Sequence, residues 1–170
     1  MRLLTTVLLL LAAQTALAAV AERPCAAPEY RQFDFWVGAW DVYNPQGQTV
    51  GANRITVEQG GCVLHEHWTG AKGGTGESFN IYDHTRGVWH QTWVSAQGVL
   101  LLLEGGLNEA GEMVLSGSSL SRTGTVLNRI IWTPHADGSV RQHWEVSGNG
   151  GEQWRTVFDG LYRRQQQAAN

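Results

Sequence analysis

After its first twenty or so residues the sequence contains no apolar run long enough to cross a bilayer, so no membrane-inserting helix is expected in the body of the chain. Helix formers are scarce: Ala, Leu and Glu thin out after residue 30, which argues against a helical domain. Basic residues are scattered, with no stripe and no interleaving with aromatics, so no nucleic-acid partner is expected. Hydrolase and nucleotide signatures are missing as well. "SGSSLS" at 116–121 lacks the glycine spacing of a G-x-S-x-G elbow. "GGTGES" at 73–78 lacks the Gly-Lys pair and the following helix of a phosphate loop, and reads as a hairpin loop. Asp137-Gly138 and the glycines of 148–151 have too few carboxylates around them for a calcium loop. With only two cysteines, at most one intrachain bridge can form.

The one long apolar run is N-terminal. Arg2 supplies a positive start, residues 3–13 an apolar stretch, and Ala16-Leu17-Ala18 or Ala19-Val20-Ala21 a small-x-small cleavage site. Residues 1–21 therefore read as a signal peptide, cleaved after Ala18 or Ala21, and the chain as secreted or periplasmic. The formal charge of −3 becomes one unit more negative when Arg2 leaves. Export exposes Cys25 and Cys62 to an oxidising compartment, where a disulfide between them is the natural reading and two unrelated thiols the alternative.

What the chain does have is glycine and tryptophan: 21 and 8 residues respectively. Turn signals recur at short intervals, among them Asn44-Pro45-Gln46-Gly47, Gly60-Gly61 and His135-Ala136-Asp137-Gly138. About ten strand-like runs lie between them, joined by hairpin-length connections, so sequential strands should be antiparallel neighbours. The expected fold is all-β: a single up-and-down antiparallel barrel of about ten strands over residues 22–164, since closing such a meander removes its exposed edges, with full closure left open by the sequence. A short helical turn is expected around 28–35, and residues 165–170 as a frayed tail.

Alternation along each run assigns faces, since residues two apart on a strand share one. Leu64, Glu66 and Trp68 group together, as do Trp89, Gln91 and Trp93; so do Asn128, Ile130 and Trp132, and likewise Gln142 and Trp144. Asn53 groups with Ile55, and Asn80 with Ser78 and Tyr82 opposite Phe79 and Ile81, which leaves that run ambiguous. Several inward faces thus carry one polar side chain each: Asn53, Glu66, Asn80, Gln91, Asn128 and Gln142. Buried polar groups need partners, so this set bonds to itself, to water or to a ligand. Apolar walls with a few convergent polar groups describe a small-molecule pocket. The expected ligand-binding residues are Glu66, Trp68, Asn80, Trp89, Gln91, Trp93, Asn128, Trp132, Gln142 and Trp144. Glu66, between Leu64 and Trp68, is the candidate general acid or base, its carboxyl raised by desolvation. The competing reading is a salt bridge from Glu66 to Arg129 or Arg141.

His65-x-His67 has the strand spacing of metal ligands, with His90 or His143 as a possible third. Alternation places the pair opposite Leu64 and Trp68, so a solvent-facing pair is preferred; no metal and no cofactor is expected.

"FDFWVGAWDV" places Gly38-x-Trp40 after a short turn, as at the start of lipocalin-like (calycin) barrels, where the Trp plugs one end beneath a basic residue from the last strand. Here that residue would be Arg155, Arg163 or Arg164. With "GGCVLHEHW", "ESFNIYD", "WHQTWV", "MVLSG", "RIIWTPHADGSVRQHWEVS" and "GGEQWRTVFDGLYRR", the chain from about Tyr30 to Arg164 resembles a bacterial family known mainly as a domain of unknown function. It departs from that pattern at Ala39, where an acidic residue is expected, and at Gly148 or Asn149, where an Asp is expected. The resemblance implies a lipocalin-like barrel with no established activity, and its pattern includes Glu66, Trp68, Asn80, Gln91, Gln142 and Glu145. Phe33, Phe35, Trp36 and Trp40 then read as an end plug. The functional expectation is a barrel binding a small, partly apolar molecule. The alternatives are a lyase or isomerase using Glu66 as general base, or an interaction module whose barrel is filled by its own side chains.

Overall fold

Side chains at the hairpin tips fold this chain back on itself. Asn44 Oδ1 accepts the backbone N–H groups of Gln46 and Gln48 at 3.0 and 2.9 Å, and Asn108 Oδ1 accepts those of Ala110 and Glu112 at 3.0 and 2.9 Å. Each amide replaces a backbone acceptor and fixes a tight reversal, which is why Asn suits these positions. The structure, a computed structural model, describes residues 24–166; the expected signal peptide, 1–21, lies outside the described residues.

Ten strands run between the turns: β1 (Gly38–Tyr43), β2 (Thr49–Glu58), β3 (Val63–Gly70), β4 (Thr75–Asp83), β5 (Val88–Ser95), β6 (Leu100–Leu107), β7 (Met113–Ser121), β8 (Gly124–Pro134), β9 (Val140–Ser147) and β10 (Arg155–Arg164). Each pairs antiparallel with its sequence neighbours, and β1 closes the ring on β10 with Trp40 opposite Arg164. The all-β up-and-down barrel expected from the turn rhythm is therefore the fold, and its sheet has no edge. Gln165 extends the closure rather than fraying: its N–H donates to Ala39 O at 2.9 Å, and its amide donates to Asp41 Oδ1 at 2.9 Å. The rest of the expected frayed tail, 167–170, lies outside the described residues.

The two ends of the barrel differ. At the end where β1 begins, two 3-10 turns, Pro28–Arg31 and Asp34–Trp36, fold across the opening. Phe33 and Trp36 are fully buried there, their rings stacked at 4.9 Å, and Trp89 and Trp132 meet Phe33 edge-on at 5.7 and 5.1 Å. Trp40 donates its indole N–H to Trp36 O at 2.8 Å. The Arg164 guanidinium lies 4.4 Å from the Trp40 ring centroid and donates to Val37 O at 3.0 Å. Of the three candidate arginines, Arg164 is thus the one that covers the tryptophan. Gly38 makes this possible, because a Cβ there would sit 2.4 Å from Arg164 Nη1. Cys25 and Cys62 are bonded, stapling this plug to the β2–β3 turn across 37 residues. Arg31 adds a hydrogen bond to Gly61 O beside the bridge.

Face assignments from alternation hold on β3, β5 and β8. The ambiguous β4 turns its polar side inward: Ser78 and Asn80 are fully buried, while Phe79 and Ile81 are 51% and 38% exposed. Hydrogen bonding decides this, because the inward-facing Glu66 of β3 and Gln91 of β5 need partners that Phe and Ile cannot supply.

Candidate functional site

Above the plug, the mid-barrel side chains form a continuous polar chain that ends on one carboxyl. Gln91 Nε2 donates to Asn80 Oδ1 at 2.7 Å, Asn80 Nδ2 donates to Ser78 Oγ at 3.0 Å and Leu64 O at 3.1 Å, and Ser78 Oγ donates to Glu66 Oε2 at 2.5 Å. From the other side Asn53 Nδ2 donates to Glu66 Oε1 at 2.7 Å and reaches the Tyr162 hydroxyl at 3.3 Å. Tyr162 in turn donates to Gln142 Oε1. Register brings these groups together: Glu66 faces Ile55 on β2 and Ser78 on β4, and Asn80 faces Gln91 on β5.

Glu66 is 4% exposed. Burial pushes its carboxyl from the ordinary 4.5 to about 7, against the hydrogen bonds from Ser78 and Asn53 that favour the ionised form. Ser78 and Asn53 both donate to this carboxyl, and the short Ser78 contact is typical of a hydroxyl meeting a carboxylate. Desolvation and hydrogen bonding thus balance close to neutral pH. The salt-bridge alternative does not hold, because both candidate arginines are engaged on the outer face. Arg129 pairs with Glu145 at 2.9 Å and Arg141 with Asp159 at 2.8 Å. Tyr162 is raised well above the ordinary phenol value, first by burial and then by the nearby Glu66 charge.

A cavity of about 130 Å³ lies against this network. Glu66, Gln91, Gln142 and Tyr162 form its polar side; Trp68, Trp93, Trp144 and Phe158, with Leu101 and Ile130, form its apolar walls. The aromatics of the rim lie close along the sheet because glycines make room for them. A Cβ on Gly51 would come within 2.5 Å of the Trp68 ring, one on Gly76 within 2.3 Å of Trp93, and one on Gly160 within 2.6 Å of Phe158.

Six of the ten expected ligand-binding residues line this space: Glu66, Trp68, Gln91, Trp93, Gln142 and Trp144. The other four are buried elsewhere. Trp89 and Trp132 belong to the plug, Trp89 donating to Gln32 Oε1 at 3.0 Å. Asn80 stands behind Gln91 as its acceptor. Asn128 sits behind Trp144, accepting its indole N–H at 3.0 Å. These positions share the inward face with the cavity residues but stand at a different height or depth. Tyr162, Phe158, Leu101, Ile130 and Ser78 were not among the expected site residues. Tyr162 had a signal, since it shares a face with Gly160 and Arg164 on the last strand.

On the outer face of β3, His65 and His67 gather acidic neighbours instead of standing in open solvent. One ligating atom each from Glu58, His65 and His67 falls within 4.8 Å of the other two. The suggested third histidines do not join them: His90 contacts Glu104 and Thr92, and His143 contacts Thr156.

No protein-family model and no curated protein matches this chain. Among the described residues, no helix is long and apolar enough to cross a membrane.

Proposed function

We propose that this chain is an exported, lipocalin-like barrel that binds a small, partly apolar molecule in the cavity above the plug. The observation that carries the reading is the cavity itself, where tryptophan and phenylalanine walls converge on three amide or carboxyl groups and one phenol. Its volume is close to that of the roughly 150 Å³ apolar cavity that takes up benzene. A ligand therefore buries one ring-sized group and lets the remainder emerge between Trp68, Trp93 and Phe158. The amides of Gln91 and Gln142 supply orientation and the aromatic walls most of the affinity. The Gly38-x-Trp40 start of β1 under Arg164 supports the lipocalin-like assignment, and the Cys25–Cys62 bridge supports export through the leader at 1–21.

Native mass spectrometry of protein purified from its own host should reveal a copurifying small molecule. Tryptophan fluorescence should respond to ring-sized neutral probes such as benzamide and phenol. Ile130→Trp, which fills the space, should abolish that response; binding undiminished in a folded Ile130→Trp protein refutes the assignment. A second reading rests on Glu66, a buried carboxyl poised near neutrality in the cavity wall and thus suited to general acid–base work. If the barrel turns over a ligand, Glu66→Gln should abolish turnover while retaining binding.

A further inference from the structure

We propose that the outer face of β3 carries a divalent transition-metal site of the zinc class, ligated by His65, His67 and Glu58, with Glu77 orienting His65. The two-residue spacing sends both imidazoles out of the same face of the strand, and their rings lie 3.9 Å apart, centroid to centroid. Glu58 comes from the end of β2, diagonal to His65, and Glu77 from β4, directly opposite His67. Three strands thus converge on one patch.

His65 is flanked on both ring nitrogens. Nε2 meets Glu77 Oε2 at 3.0 Å, and Nδ1 faces Glu58 Oε1 at 3.5 Å. A neutral imidazole carries one proton, so with Nε2–H donating to Glu77, Nδ1 offers a lone pair toward a carboxylate. Two facing acceptors call for a positive charge between them, either a second ring proton or a metal ion. Ligand atoms of a tetrahedral zinc site, about 2.0–2.1 Å from the ion, stand about 3.4 Å apart. The 3.5 Å separation of Nδ1 and Glu58 Oε1 already has that spacing. His67 joins the same cluster: its ring is turned against that of His65, and its Nδ1 lies 3.6 Å from Glu77 Oε1.

The patch is also held in place. His65 stacks on Phe79 at 4.3 Å with 22° between the planes, and its side chain is only 13% exposed. Thr56 Oγ1 donates to Glu58 Oε1 at 2.9 Å. The carboxylate on Nε2–H is the usual device that fixes the tautomer of a metal-bound histidine. Much of the entropy of ordering the ligands is therefore spent before the ion arrives. Arg54, the residue opposite His67 on β2, is exposed.

The test uses the chain freed of metal by a chelator. Cobalt(II) should give tetrahedral d–d absorption, and calorimetry should give one zinc per chain that displaces it. His67→Ala, on an outward-facing position, should weaken zinc at least tenfold with the thermal melt of the metal-free protein retained. Glu58→Gln should do likewise, Glu77→Gln should cost about tenfold, and His90→Ala should change nothing. No d–d band in the wild-type protein, or equal zinc affinity in wild type and His67→Ala, overturns the proposal.

Discussion

Replacing Glu66 by Gln removes one ionisation from the barrel interior while keeping the side-chain volume, and the consequence depends on pH in a calculable way. In the unfolded chain the carboxyl titrates near 4.5, and in the barrel burial moves it to about 7. A folded-state value raised above the unfolded one means that the native state holds its proton more tightly. The stability this contributes is fully present below pH 4.5 and is lost as pH rises through 7. The loss amounts to about 3 kcal/mol over that interval. Above pH 8 both states are ionised and the difference levels off. Glutamine cannot titrate, so the stability of wild type minus that of Glu66→Gln should fall by about 3 kcal/mol between pH 4.5 and 8. Any constant offset from disturbed hydrogen bonds to Ser78 and Asn53 drops out of this difference in slope. Urea unfolding at half-unit pH intervals reads the difference directly. A chelator should be present, so that no ion at His65 or His67 acts on the carboxyl between them. A difference flat to about 0.5 kcal/mol, or one that rises with pH, refutes the balance of desolvation over hydrogen bonding argued for this carboxyl.

Gly76→Ala should destabilise the barrel by about 2 kcal/mol, because the new methyl must displace the Trp93 ring; denaturant unfolding measures this, and Trp93 emission should shift with it. Replacing Cys25 and Cys62 together by Ser releases a 37-residue loop and should cost about 4 kcal/mol. The same loss should appear when wild type is melted in reductant. Arg164→Ala removes both the Trp40 stack and the bond to Val37 O and should cost about 1–2 kcal/mol, measured by urea titration. Arg163→Ala, which loses only a looser contact over Tyr43 at 5.6 Å, should cost less than half of that.

The parts of this fold that depend on local chemistry were readable from the chain. Asparagine and glycine at the turns set the strand count, and two-residue alternation assigned Asn53, Glu66, Gln91 and Asn128 to the interior, where all four are buried. Alternation gives a face but not a height along the barrel. Trp89 and Trp93 therefore looked equivalent on β5, although one seals the plug and the other borders the cavity. It also says nothing of glycine, whose role at 51, 76 and 160 is to leave space for a ring from elsewhere. β4 read as ambiguous for a different reason: its large apolar residues face out, because the interior at that level is hydrogen-bonded rather than greasy. Glu58 was not predictable beside His65 and His67, because it reaches them only through the diagonal of an antiparallel pair.

The cross-linked plug has a kinetic consequence. With one end closed by stacked rings and a covalent bridge, a guest bound as proposed must leave by the opening through which it came. Association and dissociation then pass over the same barrier in opposite directions. Changes at the mouth that narrow the opening, outside the Trp68, Trp93 and Phe158 walls, should slow both rates by the same factor and leave the equilibrium where it was. On the proposed binding reading, the opening of this barrel acts as a timer and the interior as a balance.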